Sequence, residues 1–187
     1  MDSEFLAVMA TTPAPVTVIT CLADPEPGTP VGTTVSAFSS LSRRPPMVMI
    51  ALDRDSRTLA VVSERGHFGV NLLAAGQAEV GLRFAGKEPD RFANTNWSLD
   101  HGLPRLSGTA AWVACSVAAI VPGGDHDIVL GAVEYAEATG RSPLIYSRRR
   151  FGTHRPHITT GLPGDGGVEG SELDLLNAHA MALMGMG

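Results

Sequence analysis

The chain of 187 residues has little that suits a membrane, a nucleic acid or a disulfide-stabilised fold. Its apolar runs, such as 16–22 and 47–52, are strand-sized and far shorter than the ~20 residues of a membrane-spanning helix. The net charge of -5 argues against a nucleic-acid surface, which is normally basic. The first residues include Asp2 and Glu4 and no basic leader, so no signal peptide is expected. The only two cysteines, Cys21 and Cys115, lie in apolar stretches, which predicts buried thiols in a cytoplasmic protein.

The chain is rich in glycine (21) and proline (13), and 44% of its residues are hydrophobic, enough for one domain with a core. Strand-like stretches outnumber helical ones, and most of them follow one another along the chain. They are residues 15–22, 31–36, 47–52, 67–73, 109–121, 127–138 and 144–146. Short helices are predicted after Ser56, over 77–84 and within the polar stretch 86–102. This order favours a mainly β fold, an antiparallel barrel with short helical insertions, over a βαβ sandwich.

The composition changes near residue 156, which separates a predicted domain (1–155) from a tail (156–187). The tail begins with a glycine-rich linker over 161–170. Ser171 then offers an N-cap before apolar residues at helical spacing. Two interpretations stay open, a short helix that docks on the barrel or on a partner subunit, and a loosely held tail.

Two segments combine small hydroxyl residues with a predicted strand end or helix start. Residues 32–40 read Gly-Thr-Thr-Val-Ser-Ala-Phe-Ser-Ser, and small side chains of this kind let a flat ligand approach the backbone. Ser56 and Thr58 flank Arg57 at a helix start, where free amides and a positive charge can hold a phosphate. Read alone, the two segments are more simply interpreted as a strand end with surface hydroxyls and as an ordinary helix cap.

His126 stands between Asp125 and Asp127 on a glycine turn, so its charge can be tuned near neutral pH. No second histidine follows at ligand spacing, so no metal site is predicted. The sequence has neither a Gly-x-Ser-x-Gly elbow nor a Gly-x-Gly-x-x-Gly motif after a strand. A serine hydrolase and a Rossmann dinucleotide site are therefore not supported.

With these segments in this order, the sequence resembles the flavin reductase-like proteins with an FMN-binding split barrel. The closest resemblance is to the NAD(P)H:flavin reductase components of two-component flavin-dependent monooxygenases, and it extends over about residues 5–151. The matching motifs are Pro-Val-Thr-Val-Ile-Thr (15–20), the segment 32–40, Arg-Pro-Pro (44–46), Ser-Arg-Thr (56–58), Phe-Gly-Val-Asn-Leu-Leu (68–73), Arg-Phe-Ala (83–85), Gly-Asp-His (124–126) and Pro-Leu-Ile-Tyr (143–146) with Arg-Phe (150–151).

The resemblance implies an enzyme that transfers a hydride from NADH or NADPH to N5 of FMN or FAD and supplies a partner monooxygenase. It implies a homodimer, and His126 as the residue that positions the nicotinamide. The residues implied to bind the flavin ring are Thr33, Thr34, Val35, Ser36, Ala37, Ser39, Ser40 and Asn71. The residues implied to bind the flavin phosphate are Ser56, Arg57, Thr58, Arg83, Phe84 and Ala85. The residues implied to bind the phosphates of the pyridine nucleotide are Tyr146 and Arg150.

Three alternatives stay open from the sequence. The first is a split-barrel enzyme that holds its flavin tightly and acts on an organic substrate. The second is a non-catalytic flavin- or haem-binding module, for which His67, His101 and His126 are the available axial ligands. The third is a partner-binding protein built around the C-terminal helix.

Overall fold

A computed structural model describes residues 2–25, 28–87 and 90–154 of the chain. Their helices are α1 (Asp2–Thr11), α2 (Arg57–Arg65) and α3 (Ala78–Ala85). Their strands are β1 (Ala14–Pro15), β2 (Thr17–Leu22), β3 (Pro30–Val35), β4 (Phe38–Arg43), β5 (Pro46–Asp53), β6 (His67–Leu72), β7 (Trp97–Asp100), β8 (Leu103–Leu106), β9 (Ala111–Gly123), β10 (His126–Ala138), β11 (Leu144–Ser147) and β12 (Arg150–Thr153).

Seven strands form one antiparallel sheet in the order β3-β2-β6-β9-β10-β5-β4. Its edge strands β3 and β4 are joined only by Ser36 and Ala37, a link that spans about 10 Å at most. The sheet must therefore curl until its two edges meet. Because β3 pairs with β2 and β4 pairs with β5, the barrel stays open as a split between the edges. The predicted mainly β split barrel with short helical insertions is confirmed.

The core fills the barrel and continues on its outer side. All six residues of β2 are buried, since Ile19 and Cys21 belong to the main core cluster while Val18 packs in a second cluster with Phe84 of α3. Helix α2 adds Leu59, Val61 and Val62 to the main cluster and packs against β2, β3 and β5. Residues of α2 are thereby fixed against β3, which carries the first part of the segment 32–40.

Several predicted elements are confirmed, and one prediction needs correction. Gly66 ends α2 in the left-handed conformation (φ 73°), as expected of a C-cap glycine. The described part of 86–102 contains no helix; its end forms β7, which pairs with β8. Residues 38–43, to which no element was assigned, form the edge strand β4, because they pair with β5 after the short link.

Other features of the sequence are settled or fall outside the described residues. Cys21 and Cys115 are both free and buried, as predicted. No helix in the described part of the chain is long and apolar enough to cross a membrane. The predicted linker and helix of the tail (156–187) lie outside the described residues.

Candidate functional site

A cavity of about 210 Å³ opens where the barrel is split. It is bounded by the end of β3 and the following turn, the end of β5, the residue before α2 and the first residue of β10. The lining residues are Thr33, Thr34, Val35, Ser36, Ala37, Ala51, Leu52, Asp53, Ser56 and His126. Seven of the predicted site residues, five from the hydroxyl-rich segment together with Ser56 and His126, are thus brought together.

The segment has a side chain turned to α3 and a backbone that is open on one side. The Thr34 hydroxyl donates to the carbonyl of Gly81 at 2.7 Å and so is held by α3. Because β3 is an edge strand at the split, one side of its backbone has no neighbouring strand among the described residues. Ser36 and Ala37 are exposed at the turn. A flat heterocycle can therefore approach the main chain of this segment closely.

A second cavity, of about 220 Å³, adjoins the first along β3 and the start of α2. Thr58, which is only 3% exposed, lines it together with Gly32, and so do Arg57, Lys87 and Arg91. The Arg91 guanidinium donates to the Gly32 carbonyl at 2.7 Å, which fixes it against the strand. Three cations thus surround the amino end of a helix, an arrangement that attracts an anion.

The start of α2 has the features that a phosphate site needs. Ser56 occupies the N-cap position (φ -69°, ψ 124°), but its hydroxyl forms no cap hydrogen bond with the helix. The first turn contains no acidic residue, and its amides have no partner inside the helix. Hydroxyl groups, amides and cationic side chains can therefore all act on one bound phosphate.

His126 begins β10 and faces Asp53 of β5 across the sheet. Its Nδ1 lies 2.7 Å from the Asp125 carboxylate, and this hydrogen bond lowers the pKa of Asp125 below its ordinary value. An ionised Asp125 accepts a hydrogen from Nδ1 and leaves Nε2 for other partners. Asp127 is engaged separately, by Arg54 at 2.9 Å. The histidine ring is thus oriented by one neighbour at the rim of the cavity.

Asn71 lines neither of these two cavities. It is 0% exposed, and its amide donates to the Val18 carbonyl and the Thr20 hydroxyl, both at 3.1 Å. Its carbonyl accepts from the Leu106 amide at 2.7 Å. The side chain therefore connects β2, β6 and β8 inside the protein.

The predicted phosphate contact at 83–85 is also absent from these cavities. Arg83 donates to the carbonyl of Asn94 and to the hydroxyl of Thr95, so it fastens α3 to the following loop. Phe84 is 0% exposed in the core, and Ala85 is exposed on the helix.

The remaining predicted residues lie on other strands. Ser39 and Ser40 are exposed on β4, opposite Met49 and Val48 of β5, and do not line the cavity. Tyr146 and Arg150 belong to the separate sheet β1-β11-β12. The structure does not bring either pair to the cavities at the split.

Lys87 and Arg91 are cavity residues that the sequence prediction missed. They lie in the polar stretch 86–102, which was interpreted as a loop with a short helix and not as part of a site. A signal was present, because Arg-Phe occurs at both 83–84 and 91–92. The second pair, not the first, places its arginine beside the hydroxyl-rich helix start.

Comparisons with known proteins identify the family of the chain. Residues 9–155 match the family described as "Flavin reductase like domain". The chain is 41% identical to "Flavin reductase (NADH)" of Kitasatospora aureofaciens, over 79% of this chain and 78% of that protein. It is 37% identical to "Flavin-dependent monooxygenase, reductase subunit HsaB" of Mycobacterium tuberculosis, over 78% of each chain.

A solved structure has the same architecture. The NADH:FAD oxidoreductase SgcE6 of Streptomyces globisporus C-1027, in complex with NAD and FAD fragments, superposes with a TM-score of 0.78. It is 30% identical, and the match covers 84% of this chain and 94% of that one. With 147 consecutive residues matched by the family and the split barrel in place, the chain belongs to the flavin reductase-like family of oxidoreductases.

Proposed function

We propose that the protein reduces a flavin with NADH or NADPH and that the reduced flavin passes to a partner monooxygenase. The observation that carries the proposal is the pair of adjoining cavities, one flanked by exposed backbone and the other by hydroxyl groups and cations. From Val35 back to Val31 the strand rises about 13 Å, at about 3.3 Å per residue. That distance suits a ribityl chain between a ring at the first cavity and a phosphate at the second.

The flavin supplies a hydride acceptor at N5, and the reduced nicotinamide supplies the hydride from its C4. The backbone of residues 34–37 holds the polar edge of the ring, and amide groups there stabilise the negative charge that reduction places on it. Thr58, Arg57 and Arg91, with Ser56 and the first amides of α2, hold the phosphate. These roles need no charged group to change its protonation state.

His126 positions the nicotinamide at the open side of the ring. Hydride transfer depends mainly on the distance and alignment between C4 of the nicotinamide and N5 of the flavin. A residue that positions the nicotinamide therefore affects the rate of transfer. Its Nδ1 is fixed by Asp125, which leaves Nε2 to bond the nucleotide. No general base is required in this scheme.

Family resemblance also implies a homodimer, and helix α1 offers an apolar surface for a second copy. Phe5, Leu6, Val8 and Met9 are each between 47% and 60% exposed on this helix. Contiguous exposed apolar side chains of this kind mark contact sites between proteins. Light scattering of the purified protein would report twice the mass of one chain.

The direct test is aerobic oxidation of NADH and NADPH in the presence of riboflavin, FMN or FAD. We expect one nucleotide to be oxidised when a flavin is added. Flavin binding without oxidation of either nucleotide would contradict the reductase proposal and favour an enzyme that acts on an organic substrate.

Two variants test the assigned roles. His126→Asn should lower kcat by about tenfold or more with the flavin Kd unchanged, because positioning is lost. The matched control is His101→Asn, whose Nδ1 also bonds the preceding aspartate, Asp100, at 2.8 Å but lies in neither cavity. Thr58→Val should raise the Kd for FMN about 10- to 100-fold, the effect of losing a hydrogen bond to a charged group. The Kd for riboflavin, which lacks the phosphate, should not change.

A further inference from the structure

A third cavity, of about 430 Å³, lies at the opposite end of β10 from His126. The turn after β8 and the loop after β10 form most of its wall. Since β10 has 13 residues, its two ends are about 40 Å apart along the strand, at about 3.3 Å per residue. No residue of the two cavities at the split lines this one, so it is separate from the proposed flavin site.

Thr109 is the residue that marks this cavity as a binding site. Five polar side chains of the described residues are buried, and three of them bond to other protein atoms, namely Thr17, Thr20 and Asn71. The other two, Thr58 and Thr109, are 3% and 2% exposed, and their hydroxyl groups have no hydrogen-bond partner within the described part of the chain. Neither oxygen is among the fully enclosed polar atoms that lack a partner, so each reaches open space. Thr58 lines the phosphate cavity, and Thr109 lines the third cavity in the same way.

Two glycine turns supply main-chain donors around the Thr109 hydroxyl. Gly108 and Gly140 both line the cavity and have positive φ values of 77° and 75°, which glycine adopts without strain. The amides of these glycines and of the residues after them, Thr109 and Arg141, have no acceptor among residues 2–25, 28–87 and 90–154. Successive free amides in a turn form a concave site that favours an anion.

Arg141 supplies the positive charge of the cavity. It is exposed and forms no ion pair with any residue that the structure describes. The other arginine of the wall, Arg105, is bound by Asp100 at 2.7 Å and by Glu137 at 2.8 Å, and neither of these carboxylates lines the cavity. The charge of Arg105 is therefore already compensated, whereas that of Arg141 is available to a ligand.

Hydrogen bonds hold the wall of the cavity in place without a ligand. The Thr139 hydroxyl, at the end of β10, donates to the Thr109 carbonyl at 2.8 Å and so connects the two segments. The Gln77 side chain donates to the Ser107 carbonyl at 2.9 Å. A wall fixed in this way loses little entropy when a ligand binds.

We propose that the third cavity binds the oxyanion of a small polar molecule, a carboxylate or a phosphate, through Arg141, the Thr109 hydroxyl and the free turn amides. Both anions offer several acceptor oxygens to these donors. The volume lies within the ~300–1,000 Å³ typical of small-ligand sites and exceeds that of a bare ion. The hydroxyl groups of Ser98 and Ser107 are available to the uncharged part of the molecule. This site does not depend on the proposed reductase function, because it shares no residue with the cavities at the split.

Titration of the full-length, nitrogen-15-labelled protein, followed by the NMR shifts of its amides, tests the proposal. The probes are sodium phosphate, sodium acetate and acetamide, which has the shape of acetate without its charge. Sodium chloride keeps the ionic strength constant, so general screening does not change during the titration. The amides of residues 108, 109, 140 and 141 report on the third cavity.

Two variants remove one donor each. Thr109→Val removes the hydroxyl group at nearly constant volume, and Arg141→Gln removes the charge from an exposed residue. The matched controls are Thr17→Val, a buried threonine whose hydroxyl donates to the Val35 carbonyl at 2.7 Å, and Arg43→Gln, an exposed arginine that lines none of the three cavities.

For the unmodified protein we expect saturable shifts of the four amides with phosphate or acetate and none with acetamide, and the smaller Kd identifies the class of anion. Both cavity variants should raise that Kd about tenfold or more, the effect of losing a hydrogen bond or a charge that acts on an anion. Both controls should keep it within about twofold. The absence of saturable shifts with either anion, or the same Kd in Arg141→Gln as in the unmodified protein, would overturn the proposal.

Phosphate can also enter the proposed flavin phosphate site, and Thr58→Val separates the two sites. Shifts at residues 108 and 140 that vanish in Thr58→Val but persist in Thr109→Val would place the anion at the split and overturn the proposal. The result is distinct from that of the nucleotide-oxidation assay. An inactive protein that binds the anion at the third cavity would contradict only the reductase function, and an active protein without anion binding would contradict only this inference.

Discussion

Replacing Asn71 tests whether this residue serves the fold or the flavin. Its side chain makes three hydrogen bonds of 2.7–3.1 Å and is 0% exposed. The change Asn71→Leu keeps a similar volume but leaves the buried Leu106 amide without its acceptor. An orphaned buried group costs about 1–3 kcal/mol, and each further lost hydrogen bond about 1 kcal/mol. We therefore expect the free energy of unfolding to fall by about 3 kcal/mol.

A companion variant, Asn71→Asp, keeps the acceptor for the Leu106 amide but replaces the amide nitrogen, which donates both other hydrogen bonds, by a carboxylate oxygen. That oxygen would then face the Val18 carbonyl and the Thr20 hydroxyl. Burying that charge raises the pKa of the new carboxyl group, so the variant should lose stability as the pH rises above about 4, the ordinary pKa of an aspartate. The exposed Asn94→Asp provides the matched control.

Urea unfolding followed by tryptophan fluorescence measures these free energies, and flavin titration of the folded variants measures binding. We expect a large loss of stability and a flavin Kd within about twofold of the original. A stable Asn71→Leu variant whose flavin Kd has risen tenfold would refute the reasoning and return Asn71 to the binding site.

Three further predictions follow from buried contacts and from the barrel split. Gly131→Ala should lower the free energy of unfolding by about 1–3 kcal/mol, because the added Cβ would stand 2.5 Å from Phe68 Cζ. Gly152→Ala, whose added Cβ would have nothing within 4 Å, should change the free energy of unfolding little in the same assay. Burial raises the pKa of Cys21 from 9.0 to about 11 and that of Cys115 to about 12. The folded state therefore holds these protons to higher pH than the unfolded state. In urea unfolding, the free energy of unfolding should keep this contribution in full below pH 9 and fall above pH 9 by about 1.4 kcal/mol per pH unit for each thiol. The same slope in a variant with both cysteines changed to alanine would contradict this cause. Finally, calorimetry should show that saturating flavin, at about 100 times its Kd, raises the free energy of unfolding by about 2.7 kcal/mol.

The barrel was predictable from the sequence because its strands carry clear signals. Residues 17–22 are β-branched or apolar throughout, and Gly66 ends a helix where the pattern ends. Helix α1 was missed because its apolar residues, such as Phe5 and Leu6, face solvent and define no buried stripe. Strand β4 was missed because its three serines interrupt the alternation of apolar and polar residues that marks a half-buried strand.

The site was predictable where it depends on backbone and local motifs, and not where it depends on side-chain direction. The segment 33–37, Ser56 and His126 converge as their order along the chain suggested. Asn71 and Arg83 belong to matching motifs, yet their side chains bond within the protein. Whether a polar side chain on a strand or helix points to a ligand or to a neighbouring element depends on packing from distant parts of the chain. That packing cannot be obtained from local sequence.

The two-residue link between β3 and β4 has a consequence for folding. Those strands are adjacent along the chain, but the wall opposite the link is completed by His126 at the start of β10, some 90 residues later. The pocket is therefore a long-range contact that exists only after β9 and β10 have paired into the sheet. A ligand that binds there stabilises the whole seven-stranded sheet, so a flavin bound as proposed would report on global folding, and a fragment that ends before β10 would lack part of the pocket wall.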